Sequence, residues 1–131
     1  MNRLFFVVIL LCFFSSNGHA EKKSVSLSIP PELKKMLDKF SQAIANNEKT
    51  KASELSNFPL KNIVYLDKKT KSRNEFESSF KNSMQPFCYD KQKPEKDKNG
   101  KDWVLDCDGN VFYFGLRAGQ WKYLGYENIN E

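Results

Sequence analysis

The chain has 131 residues, 28% of them charged, with 21 lysines and arginines against 16 acidic residues and a formal charge of +5. That length supports one domain around one core rather than two, and a single histidine, His19, excludes a multi-histidine metal centre. Arginine occurs only at Arg3, Arg73 and Arg117, so the positive excess is a lysine excess that reads as solvation rather than as a nucleic-acid surface, which clusters arginine and aromatics on one face.

Met1, Asn2 and Arg3 give a short positive start, residues 4–14 are an unbroken apolar run of 11, and residues 15–20 turn polar. This is the order of a secretory signal peptide over residues 1–20. The run is too short for the roughly 20 residues of a membrane-spanning helix, and Gly18 and Ala20 place small residues where cleavage after Ala20 needs them. Leu11, which precedes Cys12, is too bulky for a lipid-acceptor motif, so no membrane anchor is expected. The expected location is the periplasm or the exterior. Cleavage removes His19, Cys12 and Arg3, which leaves 20 basic and 16 acidic residues, two cysteines and no histidine. Serine–histidine and cysteine–histidine nucleophile pairs and histidine-held metals are then excluded. The remaining cysteines are not a Cys-x-x-Cys pair, and Asp106 and Asp108 lack calcium-loop spacing. Neither a metal nor a cofactor is expected.

Residues 21–29 read as a flexible lead-in and residues 30–131 as one α+β domain. Pro30 and Pro31 suit a first helical turn, after which Leu33, Met36, Leu37, Phe40 and Ile44 recur at helical spacing. Asn46 and Asn47 suit the helix end, and residues 48–55 are expected as a second, short helix stopped before Pro59. Residues 60–66 read as a strand, closed by a charged turn at 67–71. Ser72 and Glu75 form a capping-box pattern for a third helix, with Phe76, Phe80 and Met84 as its buried stripe and Pro86 as its stop. From Phe87 the period becomes two. Residues 87–90 are expected as a strand, 91–101 as a charged loop and 103–107 as the next strand, followed by a two-residue turn at Asp108 and Gly109. Residues 110–116 return, 117–120 turn around Gly119, and 121–127 complete a meander.

Those turns imply a register in which Cys107 faces Asn110, Leu105 faces Phe112, Trp103 faces Phe114, Leu116 faces Trp121 and Phe114 faces Tyr123. One sheet face then carries Trp103, Leu105, Phe112, Phe114, Leu116, Trp121 and Tyr123. The other carries Val104, Asp106, Val111, Tyr113, Leu124 and Tyr126, which is unusually apolar for a face in water. A homodimer through Val104, Val111, Tyr113, Leu124 and Tyr126 is the expected cover. Cys88 and Cys107 are read as a disulfide, since their segments flank one loop and an exported chain allows it; two buried free thiols are the competing reading.

The order helix, short helix, Phe58-Pro59-Leu60 into a strand, a capped helix with paired phenylalanines, and a meander ending Gly119-Gln120-Trp121-Lys122-Tyr123-Leu124 resembles small secreted bacterial nuclear-transport-factor-2-like (cystatin-like α+β) domains. The resemblance covers roughly residues 31–127. It implies N-terminal helices packed on a curved antiparallel sheet, forming a cone that often holds a pocket. Residues placed to line such a pocket are Tyr65, Trp103, Phe112, Phe114, Trp121 and Tyr123. Related enzymes use a buried carboxylate with an acid pair, for which the residues present are Tyr65, Asp67, Tyr89, Asp106 and Tyr113. Solvation of Asp67, the tight turn beside Asp106 and the usual core role of strand tyrosines weigh against them. The leading expectation is an exported, non-catalytic module that binds a small apolar ligand or a protein. A cofactor-free lyase or isomerase, and a periplasmic inhibitor or immunity protein, are the alternatives.

Exported material should begin at Glu21, because the cut after Ala20 best satisfies the small-residue rule. Intact-mass measurement checks this, and a retained leader or an acyl group on Cys12 contradicts it.

Overall fold

Pro31 opens α1 (Pro31–Ala45), with the Pro30 carbonyl accepting the Lys34 amide at 3.0 Å, and the helix buries Leu33, Met36, Leu37, Phe40 and Ala43 on one stripe. Residues 28–64 and 67–130 are described by the computed structural model; the expected leader, most of the lead-in and Tyr65 lie outside the described residues. Asn47, at φ 55°, turns the chain into the short α2 (Lys49–Glu54), within the 48–55 span expected for a second helix.

Strand β1 (Ser56–Val64) begins earlier than expected and contains a cis Phe58–Pro59 bond. The expected charged turn at 67–71 is instead a strand, β2 (Asp67–Lys71), paired antiparallel with β1 from Leu60 opposite Lys71 to Val64 opposite Asp67. An all-polar sequence is tolerated there because β2 is the sheet's edge, where lysines discourage further strand addition.

The capping box forms as read. Ser72 Oγ accepts the Glu75 amide at 3.2 Å and Glu75 Oε2 accepts the Ser72 amide at 2.9 Å. The single helix expected after it is broken into α3 (Arg73–Ser78) and α4 (Phe80–Met84). At the break the Ser78 and Ser79 hydroxyls both donate to the Glu75 carbonyl, at 3.0 and 2.8 Å. Serine hydroxyls compete in this way for carbonyls that a continuous helix needs. Phe76, Phe80 and Met84 remain buried across the break.

No strand forms at 87–90. The Cys88 carbonyl accepts amides from Lys91 and Gln92 at 2.8 and 2.9 Å, so this segment closes on itself and drops Phe87 against Phe40 and Phe112. The pairing partner of β4 (Trp103–Cys107) is a two-residue strand, β3 (Glu95–Lys96), from within the expected loop. Cys88 and Cys107 form a disulfide, with Cα atoms 5.7 Å apart. It ties the 88–92 turn to the end of β4 rather than joining two neighbouring strands.

Strands β5 (Asn110–Arg117) and β6 (Gln120–Asn128) complete a sheet of order β2-β1-β6-β5-β4-β3. The expected pairs from Cys107–Asn110 to Leu116–Trp121 are all present, around turns in which Asp108, Gly109, Ala118 and Gly119 have positive φ. Two features depart from expectation. β1 runs parallel to β6, so the sheet is mixed rather than wholly antiparallel. A bulge also intervenes: Phe114 faces Tyr123 but Tyr113 faces Gly125, which leaves Leu124 unpaired and brings Tyr126 opposite Phe112 on the core face, not on the outer face. The Tyr126 and Phe112 ring centroids are 5.5 Å apart.

Phe40 connects helix to sheet through edge or tilted contacts with Phe87, Phe114 and Tyr123 at 5.0 to 6.0 Å. At Gly125 the β6 backbone runs close against β1. A Cβ there would collide with the Lys61 backbone carbonyl, and its φ of 148° is one that side-chain-bearing residues rarely adopt. Gly125→Ala should therefore destabilise the domain by more than about 2 kcal/mol, because the obstacle is backbone and cannot swing away. Gly119→Ala, at φ 75° with open space around it, should lose only about 1 kcal/mol from backbone strain. Urea midpoints of the two variants test this ordering, and equal losses contradict it.

Candidate functional site

The sheet face toward the helices is filled rather than hollow. Trp103, Phe112, Phe114 and Tyr123, four of the residues expected to line a cone, are at most 2% exposed and belong to one cluster with Phe40, Phe76 and Phe80. Trp121 is half-buried against the same cluster. Tyr65 lies outside the described residues.

One of the open spaces lies to the side of this cluster. Between Ser56 and Lys61 on β1 the ladder to β6 advances only from Tyr123 to Gly125, so β1 bows as it passes its neighbour. Beside that bow is a pocket of about 290 Å³. Leu60, Phe76, Met84, Pro86 and Tyr123 give it apolar walls, and Lys61, Lys71, Asn82, Ser83 and Tyr126 supply polar groups. Of the described residues expected to bind ligand only Tyr123 is in this lining, joined by Tyr126 from the expected interface set.

Lys71 is the organised polar group. Its Nζ donates to Ser79 Oγ at 3.1 Å and to Ser83 Oγ at 3.4 Å. Ser83 Oγ in turn donates to Ser79 Oγ at 3.1 Å, and Ser79 Oγ donates to the Glu75 carbonyl. Both hydroxyl protons are thus committed along the relay, which leaves oxygen lone pairs for the ammonium. The described lining holds no carboxylate. Tyr126 Oη donates to Asn110 Oδ1 at 2.8 Å, beside the Tyr123 wall. Burial pushes the Tyr123 phenol well above its ordinary value, with the nearby Tyr126 phenol as a smaller cause.

Lys61, Lys71, Asn82 and Ser83 were not singled out from sequence. Their one legible signal was the i,i+4 spacing of Ser79 and Ser83 beside Phe76 and Phe80, which places hydroxyls next to an apolar stripe.

The carboxylates and phenols weighed for catalysis lie elsewhere. Asp106 is exposed on the outer face and accepts the Gly109 amide at 2.8 Å, as a turn-stabilising side chain. Tyr113, also on that face, donates to Glu127, and burial followed by this hydrogen bond raises its pKa. Tyr89 donates to Asp38 of α1 at 3.2 Å; its pKa is raised first by burial and then by Asp38. Asp67 occupies the edge strand β2.

The outer face is less apolar than the pattern implied. Val111 and Leu124 are buried, Val104 and Tyr113 are half-buried, and the Arg117–Asp102 ion pair, at 3.3 Å, crosses Gly115 beside Leu124. The exposed large hydrophobics, Leu116 and Ile129, lie at opposite ends of the described sheet strands. Among the described residues no helix is long and apolar enough to cross a membrane, and no three potential ligands cluster as a metal site.

Together these features define a small α+β domain whose mixed sheet carries helices on one face and a lateral pocket between β1, β6 and α4. No protein-family model and no curated protein sequence matches the chain. Among solved structures it is similar to a protein from Xanthomonas campestris assigned as a calcium/calmodulin-dependent protein kinase II association domain. Identity is 16%, the match covers 79% of this chain and 94% of that one, and the TM-score is 0.41.

Tyr113 and Tyr123 keep their protons in the fold beyond the pH at which the unfolded chain loses them, so the native state binds more protons above about pH 10. Stability should be fully present below that pH and fall as pH rises past it. Urea midpoints between pH 8 and 11 give the slope, and Tyr123→Phe should flatten it; an unchanged slope contradicts the assignment.

Proposed function

We propose that this domain is an exported, non-catalytic binding module that takes one small, largely apolar ligand into the pocket between β1, β6 and α4. The observation that carries this reading is the composition of the pocket: buried apolar walls, an anchored polar rim and, among the described lining residues, no carboxylate to serve as acid or base beside Tyr123. Ligand sites are typically concave, mainly apolar and equipped with a few placed polar groups. At about 290 Å³ the volume is at the small end of such sites. The nuclear-transport-factor-2-like order of elements supports the same reading, with the lateral pocket in the role of the cone's mouth. Export agrees with the Cys88–Cys107 disulfide, a bond that persists in oxidising compartments.

Titration with the neutral apolar fluorophore N-phenyl-1-naphthylamine tests the reading. The protein should take it up saturably at one site and return it chemically unchanged. Ser83→Trp, which projects a large ring into the pocket from its rim, should abolish uptake while the circular dichroism spectrum is retained. Absence of saturable uptake, or uptake unaffected by the tryptophan, overturns it.

A further inference from the structure

Lys71 is half-buried, and its ammonium has three donors of which two are engaged by serine hydroxyls. Hydroxyls satisfy hydrogen bonds but do not neutralise charge, and burying charge without a counter-ion is costly. Among the described residues Lys71 has no ion-pair partner, while Glu75 holds the Ser72 amide and Glu77 holds Arg73 at 3.1 Å. Lys61 of β1, exposed and alternating away from Leu60 and its β2 partner Lys71, adds positive charge at the edge of the same lining, with no ion-pair partner among the described residues. The Asn82 amide contributes further donor capacity at the rim. The same lining includes the apolar side chains Leu60, Phe76, Met84 and Tyr123.

From this juxtaposition we infer that the ligand is an amphiphile with a small anionic head. Lys71 binds the head and the apolar walls take its chain. The inference rests on the binding-module reading and narrows it to one chemical class, because a neutral hydrophobe leaves the Lys71 charge uncompensated and a cationic one is repelled by both lysines. The serine relay positions the ammonium. With the Ser79 and Ser83 protons directed along the chain to the Glu75 carbonyl, the third Nζ–H is the one left for an acceptor in the pocket. Charge-assisted hydrogen bonds of this kind are about twice as strong as neutral ones, so the head rather than the chain supplies selectivity.

Displacement of N-phenyl-1-naphthylamine by three ten-carbon probes, decanoate, decanol and decyltrimethylammonium, separates the two readings. Decanoate should displace the fluorophore about tenfold more tightly than decanol, as one charge-assisted hydrogen bond implies, and decyltrimethylammonium should be the weakest. Lys71→Met should remove the decanoate preference and leave decanol within about twofold, while Lys71→Arg, which keeps the charge, should retain it. Lys61→Met, at an exposed position, should weaken decanoate by a smaller factor and make its binding less sensitive to salt. Decyl sulfate in place of decanoate shows whether the head is read as a carboxylate or as any small anion. Equal displacement by all three probes overturns the anionic head and leaves the pocket in place. Failure of the fluorophore itself to bind overturns both.

Discussion

The unpaired residue at Leu124 governs the rest of the structure. In a regular strand Tyr123 and Tyr126 would lie on opposite faces, since side chains alternate with a period of two. The extra residue resets the alternation, so both tyrosines face the helices and Gly125 comes between them where the backbone runs close against β1. Tyr123 then joins Phe40, Phe76 and Phe114 in the core, and Tyr126 packs on Phe112. The same three positions, Tyr123, Gly125 and Tyr126, form the sheet side of the pocket. Core and site are therefore consequences of one local irregularity.

A pocket at the side of the sheet follows from how the middle is filled. Rings from α1, β1, α3, α4, β5 and β6 meet with Phe87 on the helix side of the sheet, and among the described residues eleven ring pairs have centroids within 6.4 Å. Rings in edge and tilted contact leave little room for a ligand among them. The disulfide contributes by fixing the turn that seats Phe87 in this cluster. One space that remains is at the bow of β1 beside Gly125.

Much of this was legible in the sequence because local rules acted alone. The stripe from Leu33 to Phe40, the Ser72–Glu75 box and the Asp108–Gly109 hairpin each depend on residues within a few positions, and each formed with its expected register or partner. The departures have tertiary causes. β2 is a strand because β1 offers it an edge, although its own residues favour a turn. Residues 87–90 alternate like a strand but are held as a turn that the disulfide and Phe87 both secure. Gly125 was the available sign of the bulge, since an isolated glycine within a strand pattern marks an irregularity or a close backbone approach. Unbroken alternation through it puts Tyr126 on the outer face, and the bulge turns it to the core face instead. The pocket was missed for a related reason. Its lining comes from β1, the end of β2, α4 and β6, and no single segment of the sequence displays that set.

The break between α3 and α4 joins stability to the site. Ser78 and Ser79 interrupt the helix by donating to the Glu75 carbonyl, a local loss that the burial of Phe76 on one side and Phe80 and Met84 on the other offsets. Once Ser79 is committed to that carbonyl, its lone pairs can receive both the Ser83 hydroxyl and the Lys71 ammonium. Alanine at 79 and 83 would favour a continuous helix by propensity and would remove one of the two hydroxyls that compete for the carbonyl. Lys71 would then extend from the end of β2 with neither hydroxyl to hold it. Serine at 79 and 83 is thus a worse choice for the helix and a better one for holding a charge against an apolar wall. Local rules commonly yield in this way where a fold positions a group for binding.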